Sequence, residues 1–373
     1  MEHKDQDTTE LTAKILNLKK QLGTSVVIPA HHYMPKEVVA ISDFIGDSYK
    51  LAVLASQTQA EYIILCGVRF MAESAAILAR TANPPATGTD PIVTPSQIVL
   101  TPDPVAGCPM ADMIDAIRFK LQINILEKIT QKSIAPVTYM NSYADVKALT
   151  GEYNGSICTS SNAETIVRHY IEQNIPVFFS PDLNLGRNTA CKLGLPETSV
   201  FIVDKSGVIK GSGNPSDGLM FIWDGFCHVH KNFTVNDIIR VRELYNTVQI
   251  IVHPECDPEV LQAADASGST ESMYTMLKNA PQGSQWAVGT EINFVRRVAA
   301  NFPDKTIMPL KESLCFNMAR IDLGKVYASL ESIAAHHDNS NAPLKFKLSV
   351  DDTVKHNAEK ALRTMITLTG KQQ

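Results

Sequence analysis

Short, unbroken apolar runs alternate with helix-like amphipathic stretches along most of the chain, and the runs fall into three groups built on one plan. The first group opens with VVIPAHHYMPKEVVAISDFIGDSYKLA from Val26, the second with APVTYMNSYADVKALTGEYNGSICTSSNAETIV from Ala135, and the third with VQIIVHPECDPEVLQAADASGSTESMYTML from Val248. Each opening run stops at polar groups: His31 and Tyr33, then Tyr139 and Asn141, then His253 and Glu255. A hydroxyl-bearing turn follows in each: Gly46-Asp47-Ser48, Thr159-Ser160-Ser161 and Gly268-Ser269-Thr270. A second apolar run comes next (YIILCGVRF, PVFFSPDLN, WAVGTEINF), ending 19, 20 and 20 residues beyond Ser48, Ser160 and Ser269, at Gly67, Ser180 and Gly289. A third run then leads into a cysteine: Cys108, Cys227 and Cys315. A fixed period of this kind is the signature of an internal repeat.

The continuous apolar runs predict parallel strands covered on both faces. Helical stretches such as AETIVRHYIEQ and TESMYTMLKNA separate them. Strands alternating with helices imply right-handed βαβ units. The expected fold is therefore α/β: three similar three-layer α/β/α domains with short parallel sheets, related by pseudo-threefold symmetry. The boundaries fall at 25–130, 131–245 and 246–332. Residues 1–24 hold an N-terminal helix, with Leu11, Ile15, Leu18 and Leu22 on one face. The second domain carries an insertion at about 195–220, rich in Gly, Ser, Asn and Pro, which reads as a hairpin or loop. Residues 333–373 form a polar linker and a C-terminal helix with a docking or lid role.

At 373 residues the chain suits two or three domains, and its 44% hydrophobic and 20% charged content is that of a globular protein. The net charge of −5, with no Lys/Arg block, argues against a nucleic-acid partner. The polar start MEHKDQDTTE does not resemble a targeting segment, and no run reaches the roughly 20 apolar residues that cross a bilayer. A cytoplasmic protein without membrane contact is the expectation. Seven cysteines in a reducing compartment point to thiol chemistry, metal ligation or plain burial rather than to disulfides.

In parallel α/β domains ligands bind beyond the carboxyl ends of the strands. Here those ends gather His31, Tyr33, Tyr139, Asn141, His253 and Glu255, and the turns that follow supply Ser48, Ser160, Ser161, Ser269 and Thr270. Taken singly, a Ser before a helix is usually its N-cap. Taken as three matched sets, they suit a small polyanion bearing carboxylate or phosphate. Among the cysteines, Cys66 and Cys191 read as structural, Cys158 fits either reading, and Cys256 is a rival ligand beside Glu255. Cys108, Cys227 and Cys315 occupy like positions in the three repeats. There is no C-x-x-C pair or ferredoxin run. Three thiolates could hold a four-iron cluster with one iron open as a Lewis acid, and three thiolates on zinc are the alternative.

At these residues the chain resembles the quinolinate synthase (quinolinate synthetase A) family. The resemblance rests on AHHY, DFIGDS, CGVRFMAE, AGCPMADM, YMN, CTSSNA, PDLNLG, CHVH, HPEC, SGST, GTE and CFNM, in order, over about 25–330. It implies condensation of iminoaspartate with dihydroxyacetone phosphate to quinolinate, phosphate and water in de novo NAD biosynthesis, a transferase reaction. It implies a [4Fe–4S] cluster on Cys108, Cys227 and Cys315, and transient contact with the enzyme that produces iminoaspartate. Catalytic roles fall on Glu255, Tyr33 and His31. His31, Ser48, Tyr139, Asn141, Ser160, His230, His253, Glu255, Ser269 and Thr270 would line the substrate pocket. Two other readings remain at this stage: a cluster-dependent hydro-lyase on a small hydroxy acid, and a ligand-binding or redox-sensing protein with structural zinc or no metal.

Overall fold

A computed structural model describes residues 2–80 and 96–370. The chain divides into two compact units, Met1–Cys108 with Phe316–Asp351, and Pro109–Cys315 with Asp352–Gln373. The architecture is α/β with short, mostly parallel sheets.

In the first unit, Val26–Val27, Tyr62–Ile64 and Ile98–Leu100 form a parallel sheet in that order. The first strand bends at Ile28 and continues as Pro29–His31, which pairs in parallel with Phe44–Gly46. The spatial order is thus second, first, third, fourth. The buried Val, Ile and Tyr side chains of these strands produce the unbroken apolar runs of the sequence. Asp43 pins the first crossover to the strand: its carboxylate accepts the Ile28 N–H at 2.7 Å, and its own N–H donates to the Ile28 carbonyl at 2.9 Å. The N-terminal helix Glu2–Leu22 packs against Leu323–Asp338 through a face that buries Ile15. The segment after that helix lies antiparallel along the fourth strand, with Thr101 N–H donating to Phe346 O and Leu348 N–H to Val99 O.

The second unit repeats the order twice. One sheet runs Ser156–Cys158, Ala135–Tyr139, Val177–Ser180, Met220–Trp223; the other runs Ala266–Ser267, Gln249–Val252, Gln285–Gly289, Thr306–Pro309. Asp265 pins Ile250 as Asp43 pins Ile28, at 2.8 and 3.0 Å. The stretch expected as an insertion extends the first of these sheets. Val200–Val203 adds beside Met220–Trp223 in parallel, and Ile209–Lys210 folds back antiparallel on it.

The helix Ala116–Thr130 lies in this second unit. Its Phe119, Ile123 and Leu126, at helical spacing, join Phe178, Phe201, Phe221 and Trp223 in one core. Phe201 stacks on Phe221 at 5.4 Å between centroids. Burying each such ring contributes about 1.5–3 kcal/mol. The C-terminal helix Asp352–Thr369 lays Ala358, Ala361, Leu362 and Met365 on the helix Ala144–Glu152. Gly151 makes this approach feasible, because a Cβ there would stand 1.9 Å from the Asn357 carbonyl oxygen. Among the described residues, no helix is long and apolar enough to cross a membrane.

Candidate active site

In each sheet the chain leaves the first strand to one side and the third strand to the other, so the crevice between their carboxyl ends is a topological switch point where ligands bind. In the second unit, residues from such ends form a buried hydrogen-bonded set. Tyr139, at the end of Ala135–Tyr139, donates its hydroxyl to Glu255 Oε1 at 2.6 Å. His230 Nδ1 meets Glu255 Oε2 at 2.8 Å, and its Nε2 meets Thr290 Oγ1 at 3.0 Å. An ionised carboxylate can only accept, so Nδ1 carries the proton in the His230–Glu255 bond. The His253 ring stacks on His230, 4.1 Å between centroids and 12° from parallel. Tyr139, His230, His253, Glu255 and Thr290 are all buried.

Burial pushes the Glu255 carboxyl up. The adjoining His230 and His253, with the hydrogen bonds from His230 and Tyr139, outweigh burial and hold Glu255 below the usual carboxylate range. Burial, helped by His230, drives His253 down to about 3, so this imidazole is neutral. Its Nδ1 accepts the Glu255 N–H at 3.3 Å, which leaves the ring proton on Nε2. The loop is held from behind by one face of the helix Leu183–Lys192. Asn184 Nδ2 donates to the Glu255 carbonyl and to Asp257 Oδ1, and Asn188 Nδ2 donates to the carbonyls of Pro254 and Cys256. These two asparagines are one helical turn apart, which puts both amides on the same side.

Cys227 stands beside this set. The Lys231 N–H donates to the Cys227 carbonyl, a single helical turn that brings His230 to the cysteine's side. One ligand atom from each of Cys227, His230 and Glu255 lies within 4.8 Å of the others, a grouping able to hold a metal. None of the seven cysteines is in a disulfide. Cys66, Cys158 and Cys256 are fully buried, and burial pushes their thiols up, Cys66 to about 12. Such thiols are poor ligands. Cys191 is exposed on a helix, whereas Cys108, Cys227 and Cys315 are half-buried in loops.

In the first unit, His31 and Tyr33 repeat the His253–Glu255 turn. His31 Nδ1 accepts the Tyr33 N–H at 3.2 Å, and the two rings meet edge to face at 4.6 Å. Ser48 begins a helix whose cap is Asp47. Cys108 ends a loop fastened by Asp103, whose Oδ2 accepts from Arg320 Nε at 3.1 Å and Lys325 Nζ at 2.9 Å. The remaining residues singled out in the sequence lie in the second unit at the expected strand ends and helix starts. Asn141 follows Tyr139, Ser160 lies in the turn before Ala163–Glu172, and Ser269 caps the helix that begins at Thr270 by accepting the Ser272 N–H. Thr290, Asn184 and Asn188 were not singled out, although GTE contains Thr290, PDLNLG contains Asn184, and Asn188 lies one helical turn beyond Asn184. Their position just past the end of a third strand was the available signal.

The family model for Quinolinate synthetase A protein matches residues 13–84 and 86–367, extending past the quoted motifs into the C-terminal helix. The chain is 40% identical to a quinolinate synthase of Listeria monocytogenes serovar 1/2a over 370 residues, 98% of this chain and 96% of that one. It is 40% identical to one from Lysinibacillus sphaericus over 362 residues, 96% and 93% of the two chains. A Bacillus cereus quinolinate synthase is 39% identical over 363 residues, again 96% and 93%.

Proposed function

Because the chain belongs to the quinolinate synthetase A family, we propose that it condenses iminoaspartate with dihydroxyacetone phosphate, releasing quinolinate, phosphate and two waters. The observation that carries this reading is the buried Tyr139–Glu255–His230–Thr290 chain at the strand ends. Loss of phosphate, imine formation, isomerisation and dehydration each require a proton to be moved. An ionised, buried carboxylate can take a proton from a bound reactant, and the phenol hydrogen-bonded to it can give one.

Glu255 acts as base in this reading, with Tyr33 and His31 as partners in proton transfer. Tyr139, Asn141, Ser48, Ser160, Ser269, Thr270 and the neutral His253 orient carboxylate and phosphate oxygens without opposing charge. Cys108, Cys227 and Cys315 are the thiolates that would hold a [4Fe–4S] cluster. Their half-buried loops support this, as does the displaced acidity of the three fully buried thiols, which fits those for packing rather than ligation. When bound, such a cluster supplies an iron without a protein ligand as a Lewis acid. The reaction is a transferase step that we place in the cytoplasm, with transient contact to the enzyme producing iminoaspartate.

The test is anaerobic turnover with iminoaspartate and dihydroxyacetone phosphate, followed by chromatography for quinolinate. Quinolinate and phosphate in equal amounts support the reading. Iron-loaded protein that leaves the triose phosphate unconsumed but dehydrates a hydroxy acid overturns it in favour of a hydro-lyase.

A further inference from the structure

The loops that carry Cys108, Cys227 and Cys315 are each tied to a helix start by the same bond. Arg69 N–H, at the start of Arg69–Leu78, donates to Ala106 O at 2.9 Å; Leu183 N–H, at the start of Leu183–Lys192, donates to Gly225 O at 2.8 Å; Ile292 N–H, at the start of Ile292–Asn301, donates to Ser313 O at 2.8 Å. In every case the acceptor lies two residues before the cysteine. The first N–H groups of a helix have no partner within it, so this bond fixes the loop while satisfying an orphan donor.

In the second and third repeats the residue preceding that donor is a buried carboxylic acid. Asp182 caps its helix, Oδ1 accepting the Leu185 N–H at 2.6 Å, and it forms a parallel bridge with Gly225. Glu291 caps its helix through Oε2, which accepts the Asn293 and Phe294 N–H groups at 2.7 and 3.2 Å. Each carboxyl also faces the N–H of the cysteine itself, Asp182 that of Cys227 and Glu291 that of Cys315. In the first repeat the cap position is Val68, which makes no side-chain cap bond, and the cysteine's loop is fastened by Asp103 instead.

Helix capping alone does not account for these acids. Ser, Thr or Asn caps a helix as well without burying an ionisable group. Both carboxyls are fully buried, and Asp182 Oδ2 has no hydrogen-bond partner among the described residues. Two costly groups at equivalent places, each against a cysteine amide, call for a function beyond the cap.

We propose that Asp182 and Glu291 are positioning residues: each joins a helix start to the backbone of Cys227 or Cys315 and so sets the direction in which the thiolate is presented. The inference rests on reading those two cysteines as cluster ligands. The effect runs through the cysteine backbone, as outer-shell partners act on metal ligands.

The test compares Asp182→Ala and Glu291→Ala with Thr234→Ala, which removes a cap from the helix Val235–Leu244, a helix that starts beyond either cysteine loop. Three quantities are read: melting temperature and amide hydrogen exchange of the apo-protein, and iron and sulfide per chain after anaerobic reconstitution. All three variants are expected to melt lower by a similar amount. Only Asp182→Ala and Glu291→Ala should exchange the amides of 225–229 or 313–317 faster, by about tenfold or more, and lose more than about half of the iron. Asp182→Asn and Glu291→Gln should restore both, because an amide oxygen accepts the same N–H. Folded alanine variants with wild-type iron and unchanged exchange in both segments overturn the proposal. If the alanine variants do not fold, the wild-type apo-protein decides: Cys227 and Cys315 amides as protected as the adjoining helices support it, and exchange at the rate of an unprotected loop overturns it. Wild-type protein that takes up no iron refutes the cluster reading, while the exchange result still judges the positioning.

Discussion

Glu255 carries two demands at once: it must stay ionised while buried, and it must be free to take a proton. Its neighbours meet the first demand by giving each oxygen one donor, Tyr139 and His230. Glu255→Gln is therefore expected to retain its iron and lower kcat by about 100-fold or more, since an amide cannot accept the proton; near-normal turnover in the iron-loaded variant would remove Glu255 from the acid–base role. Thr290→Val keeps the volume of a fully buried side chain but takes the hydroxyl from His230 Nε2. Loss of that bond should cost about 1–3 kcal/mol in urea unfolding, and an unchanged midpoint would contradict its weight in the network. Glu255 and His253 were legible because a histidine and a carboxylate at the end of an apolar run are conspicuous. Thr290 was not, because a threonine at a strand-to-helix turn has an ordinary local explanation.

Two features at the level of elements give sharper tests. The C-terminal helix rests on Gly151, so Gly151→Ala forces a Cβ into the Asn357 carbonyl and should release the helix Asp352–Thr369. The readout is limited proteolysis, with early cleavage near residue 351 expected and wild-type resistance refuting the contact. A methyl at Gly283, where nothing lies within 4 Å, meets no such obstacle, and only its φ of +77° opposes it. The second feature is the Asp103 clasp. Burial raises this carboxyl, but the bonds from Lys325 and the Val105 N–H, with Arg320 nearby, lower it overall. A carboxyl lowered on folding contributes stability above the ordinary aspartate range, near about 3.9, and that contribution is lost as pH falls through the lowered folded value. Wild type should exceed Asp103→Asn in urea midpoint at neutral pH, and the gap should close in acid; a gap that ignores pH would show that the clasp is not electrostatic. The helix positions and the hairpin at 195–220 were legible from periodicity and turn residues. The addition of that hairpin to a sheet edge was not, since strand neighbours are chosen by packing rather than by local pattern.

At the scale of the whole molecule, the strand order second, first, third, fourth occurs twice in the second unit and once, across two small sheets, in the first. The same scale holds the ligand question. Cys227→Ala is expected to abolish cluster assembly while leaving far-ultraviolet circular dichroism and melting nearly unchanged, because Cys227 is half-buried in a loop rather than part of a core. Full iron content in that variant would remove it from the ligand set. The amino-acid order alone determined the α/β class, the repeated order of its landmarks and the places where polar groups interrupt apolar runs. It could do so because strands buried on both faces leave continuous apolar stretches, and because the residues that end them are local. Only the tertiary structure decided that Tyr139, His230 and Thr290 surround Glu255, and that Asp182 and Glu291 face the cysteine amides. Tyr139 and Glu255 are 116 positions apart, and a meeting at that separation is set by how helices and sheets pack, which no local pattern encodes.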